Sequence, residues 1–455
     1  MKTIYICLLA VLLSFSNYAQ DLSGDWTGKL KFEGYTLDLN FKIYKNESDY
    51  VSSLSVPAQS LNDFKASSTS LVDLILKIEL KPLGIKYQGK WSSKDTVVGN
   101  FFQNNLSLKL NLIRGHTKLN RPQEPQPPFK YYLEDVVFRN ETDSINLAGT
   151  LTLPKKEGKF PVIILISGSG PQDRNSTIMG HKPFLLLAHE LTQSGVGVLR
   201  YDERGVGRSE GDFQETSLDD FVSDAKSAYN FLKVRNDVDQ QNIGLLGHSI
   251  GGVIAPKLAV QEDVSFMVLL AAPGIDGDKM MLKQRADFLK LRGMNATQVE
   301  QSNAIFENTY NFIRTTSARG KQLEAELTQF MTDNYADMML EKELMAIVEQ
   351  LSSKEIVGLL RSRPSEYLGL VDCPVLAIGG TNDFQVSSKE NLEAIEFALK
   401  KGGNEAVEVK EFEGVNHLFQ ESETGDISEY ATIEQTMSPE VLAYIKDWLT
   451  RTLDK

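Results

Sequence analysis

Histidine and cysteine are scarce in this chain of 455 residues, which contains only 5 His and 2 Cys. Cys7 lies in an N-terminal apolar stretch that has the pattern of a removable leader, so Cys373 is left without a partner. These counts exclude a disulfide scaffold, an iron–sulfur cluster and a zinc ribbon.

Basic residues are outnumbered as well, because 48 Lys and Arg stand against 61 Asp and Glu, and the formal net charge is -13. No run of Lys or Arg interrupts this acidic background. Binding to a phosphate backbone depends on clustered positive charge, which this sequence does not offer. We therefore expect no nucleic-acid partner.

Long hydrophobic runs are absent apart from residues 4–15, which follow Lys2 and precede the small residues Ser16 and Ala19. This run is too short to cross the roughly 30 Å hydrocarbon core of a bilayer as a helix. A basic start, a short apolar core and a small-residue exit are typical of a secretory signal peptide, here 1–19. We expect an exported protein, periplasmic or extracellular, without a transmembrane anchor.

Residues 21–120 consist of short runs in which apolar and polar residues alternate, as in 37–43, separated by Gly, Asn, Asp and Ser. Alternation with a period of two predicts strands that bury one face, so this region is predicted to be a small antiparallel β-domain. It loosely resembles a lipocalin, and its role is open. Residues 121–129 contain four prolines and are predicted to be a linker, since Pro fixes its φ angle and lacks an amide donor.

From residue 130 onward, apolar strands alternate with amphipathic helices, beginning with strands at 131–138, 145–153 and 161–166. Near-continuous apolar strands are typical of a parallel sheet with helices on both faces. We predict an α/β domain with a doubly wound, mostly parallel sheet at 130–275 and 365–455. The intervening residues 276–364 are rich in helix-forming patterns and in Met, and are predicted to be a helical cap insertion.

The first chemical motif is Gly247-His248-Ser249-Ile250-Gly251, a G-x-S-x-G sequence between the apolar run 243–246 and a predicted helix. A tight strand–turn–helix connection holds such a Ser with its hydroxyl exposed, and glycines allow the close backbone approach. Ser249 is the predicted nucleophile. The alternative is a glycine-rich turn with an inert Ser.

A Ser nucleophile needs a base and an orienting acid, which follow it in the order acid and then His in this architecture. His417 is the one His after Ser249, and it follows the predicted strand 406–412. Asp383 follows the predicted strand 374–378, so both side chains would reach the carboxyl edge of the sheet. Asp372 precedes that strand, and Asp426 follows the His, so neither fits; a surface role for His417 or a helix-capping role for Asp383 is the alternative.

Stabilisation of an oxyanion requires two backbone amides. One is expected from Ile250, which follows the nucleophile, and the other from Ser169 in the loop after strand 161–166. Gly168 and Gly170 could suggest a phosphate loop, but the third Gly and the downstream ribose-binding acid of a dinucleotide site are missing.

These motifs together resemble the α/β-hydrolase superfamily, and within it exported bacterial serine esterases with a helical cap and an N-terminal β-domain. The resemblance covers 131–455 and rests on the segments 167–174, 202–209 and 247–251, together with Asp383 and His417. It implies that the D-x-R-G-x-G-x-S segment 202–209 is mainly structural and ties its turn to the oxyanion loop. This chain has Ser167 where many relatives carry His.

The expected function is hydrolysis of a carboxylic ester through an acyl-enzyme, with a small-molecule or glycan ester as substrate and no metal or organic cofactor. One alternative is a serine peptidase of the prolyl-oligopeptidase sort, although about 100 residues of β-domain cannot form its propeller. Another is a non-catalytic exported protein that binds a glycan or lipid. The oligomeric state and the natural substrate are not predicted by the sequence.

Overall fold

The computed structural model describes residues 21–32, 35–47, 49–59, 61–103, 106–115 and 119–454. The predicted signal peptide at 1–19 lies outside these residues. The chain divides into two compact units, Met1–Leu119 and Asn120–Lys455. Among the described helices, none combines the length and apolar character needed to cross a membrane.

The first unit is all-β, as predicted. Its described strands are β1 (Gly24–Phe32), β2 (Tyr35–Asn46), β3 (Asp49–Val56), β4 (Leu61–Lys65), β5 (Ser68–Val72), β6 (Ile75–Leu80), β7 (Ile85–Ser93), β8 (Thr96–Gln103), β9 (Leu106–Lys109) and β10 (Leu112–Arg114).

These strands form one antiparallel sheet in the order β4-β3-β2-β1-β10-β8-β7-β6-β5, with β9 paired to β8. The sheet curls so that its end returns towards β3, where the Ala66 amide donates to the Ser52 carbonyl (2.9 Å) and the Ser52 and Thr69 hydroxyls are 2.7 Å apart. Alternating residues such as Trp26, Phe41 and Tyr87 fill the inside of this curved sheet.

One expected strand of this unit is interrupted. The alternating run 71–80 reads as a single strand in the sequence, but the chain turns at Asp73 and Leu74, whose φ angles are 48° and 64°. The run therefore contributes the end of β5 and all of β6, which pair as an antiparallel hairpin. Two successive residues in the left-handed region are the geometry of a tight hairpin turn.

The second unit contains eight described strands in one mixed sheet. They are β11 (Tyr132–Asn140), β12 (Ile145–Leu153), β13 (Phe160–Ile166), β14 (Gly197–Tyr201), β15 (Val238–His248), β16 (Met267–Leu270), β17 (Val375–Gly380) and β18 (Val407–Phe412). The order is β11-β12-β14-β13-β15-β16-β17-β18. The pairs β11–β12 and β12–β14 are antiparallel, and all pairs from β14 to β18 are parallel. The predicted mostly parallel sheet is confirmed.

Helices cover both faces of this sheet. They are α1 (Pro183–Gln193), α2 (Leu218–Lys233), α3 (Gly251–Ala259), α4 (Gly277–Leu291), α5 (Ala296–Thr315), α6 (Gly320–Tyr335), α7 (Glu341–Ser352), α8 (Lys354–Arg361), α9 (Pro364–Leu368), α10 (Ser388–Lys401), α11 (Ile427–Tyr430) and α12 (Pro439–Leu453). Residues of α1 and α12 share one buried cluster with the sheet, and residues of α2, α3 and α10 share the other.

Helices α4 to α9 lie between β16 and β17 in the chain, where the sequence predicts the cap. Met280, Met281 and Met331 are buried in the core cluster that also contains residues of α2 and α3, whereas Met338 is exposed. The three buried methionines thus contribute to the core of the second unit.

The proline-rich segment 121–128 lies against the second unit. The Arg121 guanidinium donates to the carbonyls of Met179 (2.8 Å), Ala431 (2.9 Å) and Ile433 (3.0 Å). Gln123 accepts from the Thr436 amide at 2.6 Å. This segment is therefore anchored by its side chains at the start of the second unit.

Candidate active site

Ser249 occupies the turn between β15 and α3, with a φ angle of 54°. A non-glycine residue in the left-handed region is strained, and this conformation persists only where the surroundings hold it. Here the Ser249 amide donates to the Leu270 carbonyl of β16 at 2.9 Å, and the Ser249 carbonyl accepts from the Gly252 amide at 2.8 Å. The turn thus holds Ser249 at the carboxyl end of the sheet.

The flanking glycines make this turn possible. A Cβ on Gly247 would lie 2.2 Å from the Gly251 carbonyl oxygen, and a Cβ on Gly251 would lie 2.2 Å from the Ile166 carbonyl oxygen. No side chain fits in either place, because the turn brings β15, α3 and the end of β13 into backbone contact. The G-x-S-x-G spacing therefore follows from packing at the turn.

His417 and Asp383 form a buried pair. His417 Nδ1 lies 2.7 Å from Asp383 Oδ2, and the two residues are 5% and 3% exposed. The other carboxylate oxygen, Oδ1, accepts from the amides of Gln385 (2.8 Å) and Val386 (2.9 Å). The turn after β17 thus fixes the carboxylate, which in turn fixes the imidazole plane and leaves Nε2 for other chemistry.

His248 joins the Ser249 turn to the His417 loop. Its Nε2 atom is 3.0 Å from the His417 carbonyl oxygen, and the two imidazole centroids are 4.9 Å apart. Burial, reinforced by the neighbouring His417, lowers the pKa of His248 to about 3, so it is neutral and can donate its Nε2–H to that carbonyl. Through this bond the residue before Ser249 touches the residue expected to serve as base.

Among the described residues, the Ser249 hydroxyl and the His417 imidazole form no direct hydrogen bond. The structure brings Asp383 and His417 into contact and places Ser249 on an adjoining segment through His248. Catalytic hydrogen bonds of this kind are often long in ligand-free enzymes and tighten when substrate binds.

The residues expected to supply the oxyanion amides are Ile250, which follows Ser249, and Ser169, in the loop after β13. Ile250 precedes α3 with φ -55° and ψ -33°, and Ser169 is an exposed residue of the loop after β13. In the part of the chain that is described, neither amide donates to another protein group. Gly168 approaches Ser249 so closely that a Cβ on it would be 3.0 Å from the Ser249 Cβ, so this loop lies beside the hydroxyl.

Glu203, which the sequence did not single out, binds both ends of the loop 167–172, here called the Ser169 loop. Its Oε1 accepts from the Ser167 hydroxyl at 2.7 Å and its Oε2 from the Gln172 amide at 2.9 Å. Burial raises the pKa of Glu203 to about 8, against the lowering effect of those two hydrogen bonds. Ser167, the position at which many relatives carry His, is thus one of the two donors to this carboxylate.

A second carboxylate reaches the same loop from the cap. Glu355 of α8 accepts from the Gly170 amide at 3.2 Å, and burial raises its pKa as well. The proximity of Glu355 also raises the pKa of Glu203. The Ser169 loop is therefore held on one side by the α/β domain and on the other by the cap.

Asp202 and Arg204 of the segment 202–209 form ion pairs with neighbouring parts of the second unit. Asp202 binds the Arg174 guanidinium at 2.9 and 2.6 Å and the Arg174 amide at 2.9 Å, which anchors the turn after β14 to the end of the Ser169 loop. Arg204 binds Asp224 of α2 through two nitrogens, each at 2.7 Å from a carboxylate oxygen.

Among the described residues, no group of three His, Cys, Asp or Glu is arranged to hold a metal ion.

The model of the family described as "Serine aminopeptidase, S33" matches residues 182–423. This range is more than half of the chain and includes Ser249, Asp383 and His417. The chain belongs to this family. Its second unit is thus an α/β-hydrolase domain with the cap inserted between β16 and β17.

This hydrolase is similar to esterase EstD of Thermotoga maritima, with 28% identity over 289 residues. That match covers 63% of this chain and 61% of EstD, so the hydrolase matches less than two thirds of that relative. An uncharacterized 31.7 kDa protein encoded in the traX-finO intergenic region of Escherichia coli is 26% identical over 275 residues, covering 58% of this chain and 87% of that protein.

Among solved structures, the hydrolase is similar to esterase Pf2001 of Pyrococcus furiosus, with 18% identity and a TM-score of 0.44. That alignment covers 73% of this chain and 99% of Pf2001. The structure of Est1E from Butyrivibrio proteoclasticus bound to ferulic acid aligns with 17% identity and a TM-score of 0.43, covering 70% of this chain and all of Est1E.

Proposed function

We propose that this hydrolase cleaves carboxylic esters through an acyl-enzyme, with Ser249 as nucleophile, His417 as base and Asp383 as orienting acid. The observation that carries the proposal is the buried contact of 2.7 Å between His417 Nδ1 and Asp383 Oδ2, next to a Ser held in the left-handed region. The similarity to esterase EstD supports the ester as substrate class.

In the first half of the reaction, His417 Nε2 takes the Ser249 hydroxyl proton while the oxygen attacks the acyl carbonyl. Asp383 stabilises the imidazolium that forms, since its carboxylate faces Nδ1. The amides of Ile250 and Ser169 donate to the oxyanion of the tetrahedral intermediate, and loss of one such donor typically costs about 3 kcal/mol in the transition state. His417 then protonates the leaving alcohol.

In the second half, a water molecule attacks the acyl carbon while His417 accepts its proton; the bond to the Ser249 oxygen then breaks, His417 returns the proton to that oxygen, and the acid is released. This chemistry requires side chains and backbone amides alone. The proposed substrate is a small-molecule or glycan ester.

Replacing Ser249 tests the proposal. We expect the wild-type protein to hydrolyse short-chain p-nitrophenyl esters and Ser249→Ala to reduce the rate by at least about 10⁴-fold, because the nucleophile is removed. The matched control is Ser194→Ala, an exposed position at the end of α1. Both variants should melt near the wild-type temperature, so that a loss of activity reflects the lost hydroxyl. Full activity in Ser249→Ala would refute the assignment.

The base is tested by a mechanism-based label. A fluorophosphonate should modify Ser249 much faster in wild type than in His417→Ala, because the imidazole activates the hydroxyl. Equal labelling rates would remove His417 from the mechanism while leaving the nucleophile assignment intact.

The family description names an aminopeptidase, so amide substrates belong in the same assay. We expect p-nitrophenyl acetate and butyrate to be turned over far faster than alanine p-nitroanilide. Faster cleavage of the anilide would favour the peptidase alternative with the same three residues.

A further inference from the structure

A groove of about 410 Å³ lies where the cap meets the α/β core, away from Ser249. Its walls come from the start of α2, the end of α3, the start of α6, and from α8 and α9. Lys257, which contributes to it, lies eight residues after Ser249, or about 12 Å along a helix. The groove is therefore distinct from the candidate active site.

The groove is positively charged in a strongly acidic chain. Five of its residues are cationic (Lys257, Arg319, Lys354, Arg361 and Arg363) and two are anionic (Asp219 and Glu366). Three of the cations are neutralised: Lys257 by Asp219 at 2.6 Å, Lys354 by Glu215 at 2.9 Å, and Arg363 by Asp278 at 3.2 Å. Arg319 and Arg361 form no ion pair with any described carboxylate.

Arg319 and Arg361 converge on the same backbone oxygens. Arg319 Nη1 donates to the carbonyls of Ala318 (2.8 Å) and Thr316 (3.4 Å), and Arg361 Nη2 donates to both at 3.1 Å. Two guanidinium groups are thus held side by side by carbonyls that carry only partial charge. Burial, reinforced by the neighbouring Arg319, lowers the pKa of Arg361.

The rest of the lining is mixed, with Ser217, Ser352 and Ser362 beside the apolar residues Leu218, Leu323 and Val357. Leu218 and Leu323 are 4% and 0% exposed, and Val357 is 7% exposed. Tyr367 adds an aromatic ring at the far side. A paired guanidinium site binds carboxylates through parallel N–H donors, and an apolar wall next to it favours a ligand with an apolar body.

We propose that this groove binds an organic carboxylate whose charged group lies against Arg319 and Arg361 and whose apolar body lies against Leu218, Leu323 and Val357. The proposal concerns a site separate from Ser249 and does not require the protein to be an esterase. The volume of the groove falls within the range of small-molecule pockets.

Isothermal titration of the full-length Ser249→Ala protein with 4-phenylbutyrate tests the proposal, because this background excludes turnover. We expect saturable binding at one site, weakening with added salt, and at least tenfold weaker binding of the neutral analogue 4-phenylbutanamide. Equal affinity for the acid and the amide, or no binding of the acid at millimolar concentration, would overturn the proposal.

A charge reversal locates the site. Arg319 is exposed and precedes α6, where an acidic residue is compatible with the helix dipole, so Arg319→Glu should fold normally. It should weaken binding of 4-phenylbutyrate by at least tenfold. The matched control is Lys342→Glu, the same change of charge in the first turn of another cap helix, α7, which should bind as the parent does.

Equal weakening by both changes would mean that only the overall charge matters, and unchanged binding in Arg319→Glu would place the ligand elsewhere. Either result would overturn the groove assignment. A second variant, Arg361→Gln, should also weaken binding and leaves Arg319 in place.

Discussion

Glu203 is buried where a carboxylate is hard to keep ionised. It lies between the Ser167 hydroxyl and the Gln172 amide, with the cap residue Glu355 near enough to disfavour its charge. Folding therefore raises the pKa of Glu203 to about 8 from an ordinary value of 4.5. A folded-state pKa above the unfolded value means that the group contributes most to stability when protonated, and that this contribution is lost as pH rises through about 8.

We expect Glu203→Gln to remove this dependence on pH, because the amide oxygen can accept from Gln172 and the amide nitrogen can donate to Ser167. Melting temperatures measured between pH 5 and pH 9 should fall more with rising pH in wild type than in the variant. Glu157→Gln, at an exposed position, is the control and should follow wild type. Parallel curves for wild type and Glu203→Gln would show that Glu203 is already ionised in the folded protein at pH 5.

At the scale of single residues, sequence order was enough to propose Ser249, Asp383 and His417, since each follows a strand that ends at one edge of the sheet. Glu203 and Glu355 could not be proposed in that way. Glu203 lies in a segment whose flanking residues have structural roles, and Glu355 is 186 positions from Ser169 along the chain. Glu203 and Glu355 reach the same loop only in the folded structure, where cap helix α8 packs beside it.

Among the elements, helix α10 contacts the chain where it leaves the sheet after β16 and enters the cap. Asn391 is 2% exposed, and its Oδ1 accepts from the amides of Gly274 (2.7 Å) and Ile275 (3.2 Å), just after β16. A Cβ on Gly274 would lie 2.2 Å from the Asn391 carbonyl oxygen, so the chain passes directly against the helix. One side chain thus satisfies two amides at the entrance to the cap.

We expect Asn391→Ala to lower the free energy of unfolding by about 2 kcal/mol, because it leaves these amides without an acceptor. Asn391→Asp keeps the acceptor and should lose less. Chemical denaturation of both variants, with the exposed Asn334→Ala on α6 as control, measures the difference. Equal stability of wild type and Asn391→Ala would mean that water replaces the side chain.

The elements themselves were predicted well where the pattern was long and poorly where turns were short. The apolar strands of the second unit were recognised because they are buried on both faces. The sequence gives little sign of the hairpin between β5 and β6, since Asp73 and Leu74 turn the chain without the Gly that normally marks such a geometry.

At the scale of the whole molecule, each unit has a buried core of its own, and the described candidate site residues all belong to Asn120–Lys455. We expect a protein comprising residues 120–455 to fold and to keep the proposed esterase activity. Its rate on p-nitrophenyl butyrate, compared with that of the full chain and of its own Ser249→Ala variant, provides the measurement. A folded but inactive fragment would assign the β-unit a direct part in hydrolysis.

The division into a β-unit and an α/β-unit could be predicted from the change of periodicity at the proline-rich segment. The positions of the cap helices could not, because amphipathic helices without strands between them do not specify which partner each one covers. The charged groove between the cap and the core arises from that packing, and its cations lie between residues 257 and 363 in the sequence.

Helix α8 has eight residues and is about 12 Å long. Lys354, Val357 and Arg361 face the groove, and Glu355 faces the Ser169 loop. A rod of two turns transmits a shift at one face to the other with little bending. A carboxylate bound beside Arg361 and the loop expected to stabilise the oxyanion would therefore contact opposite sides of the same short helix.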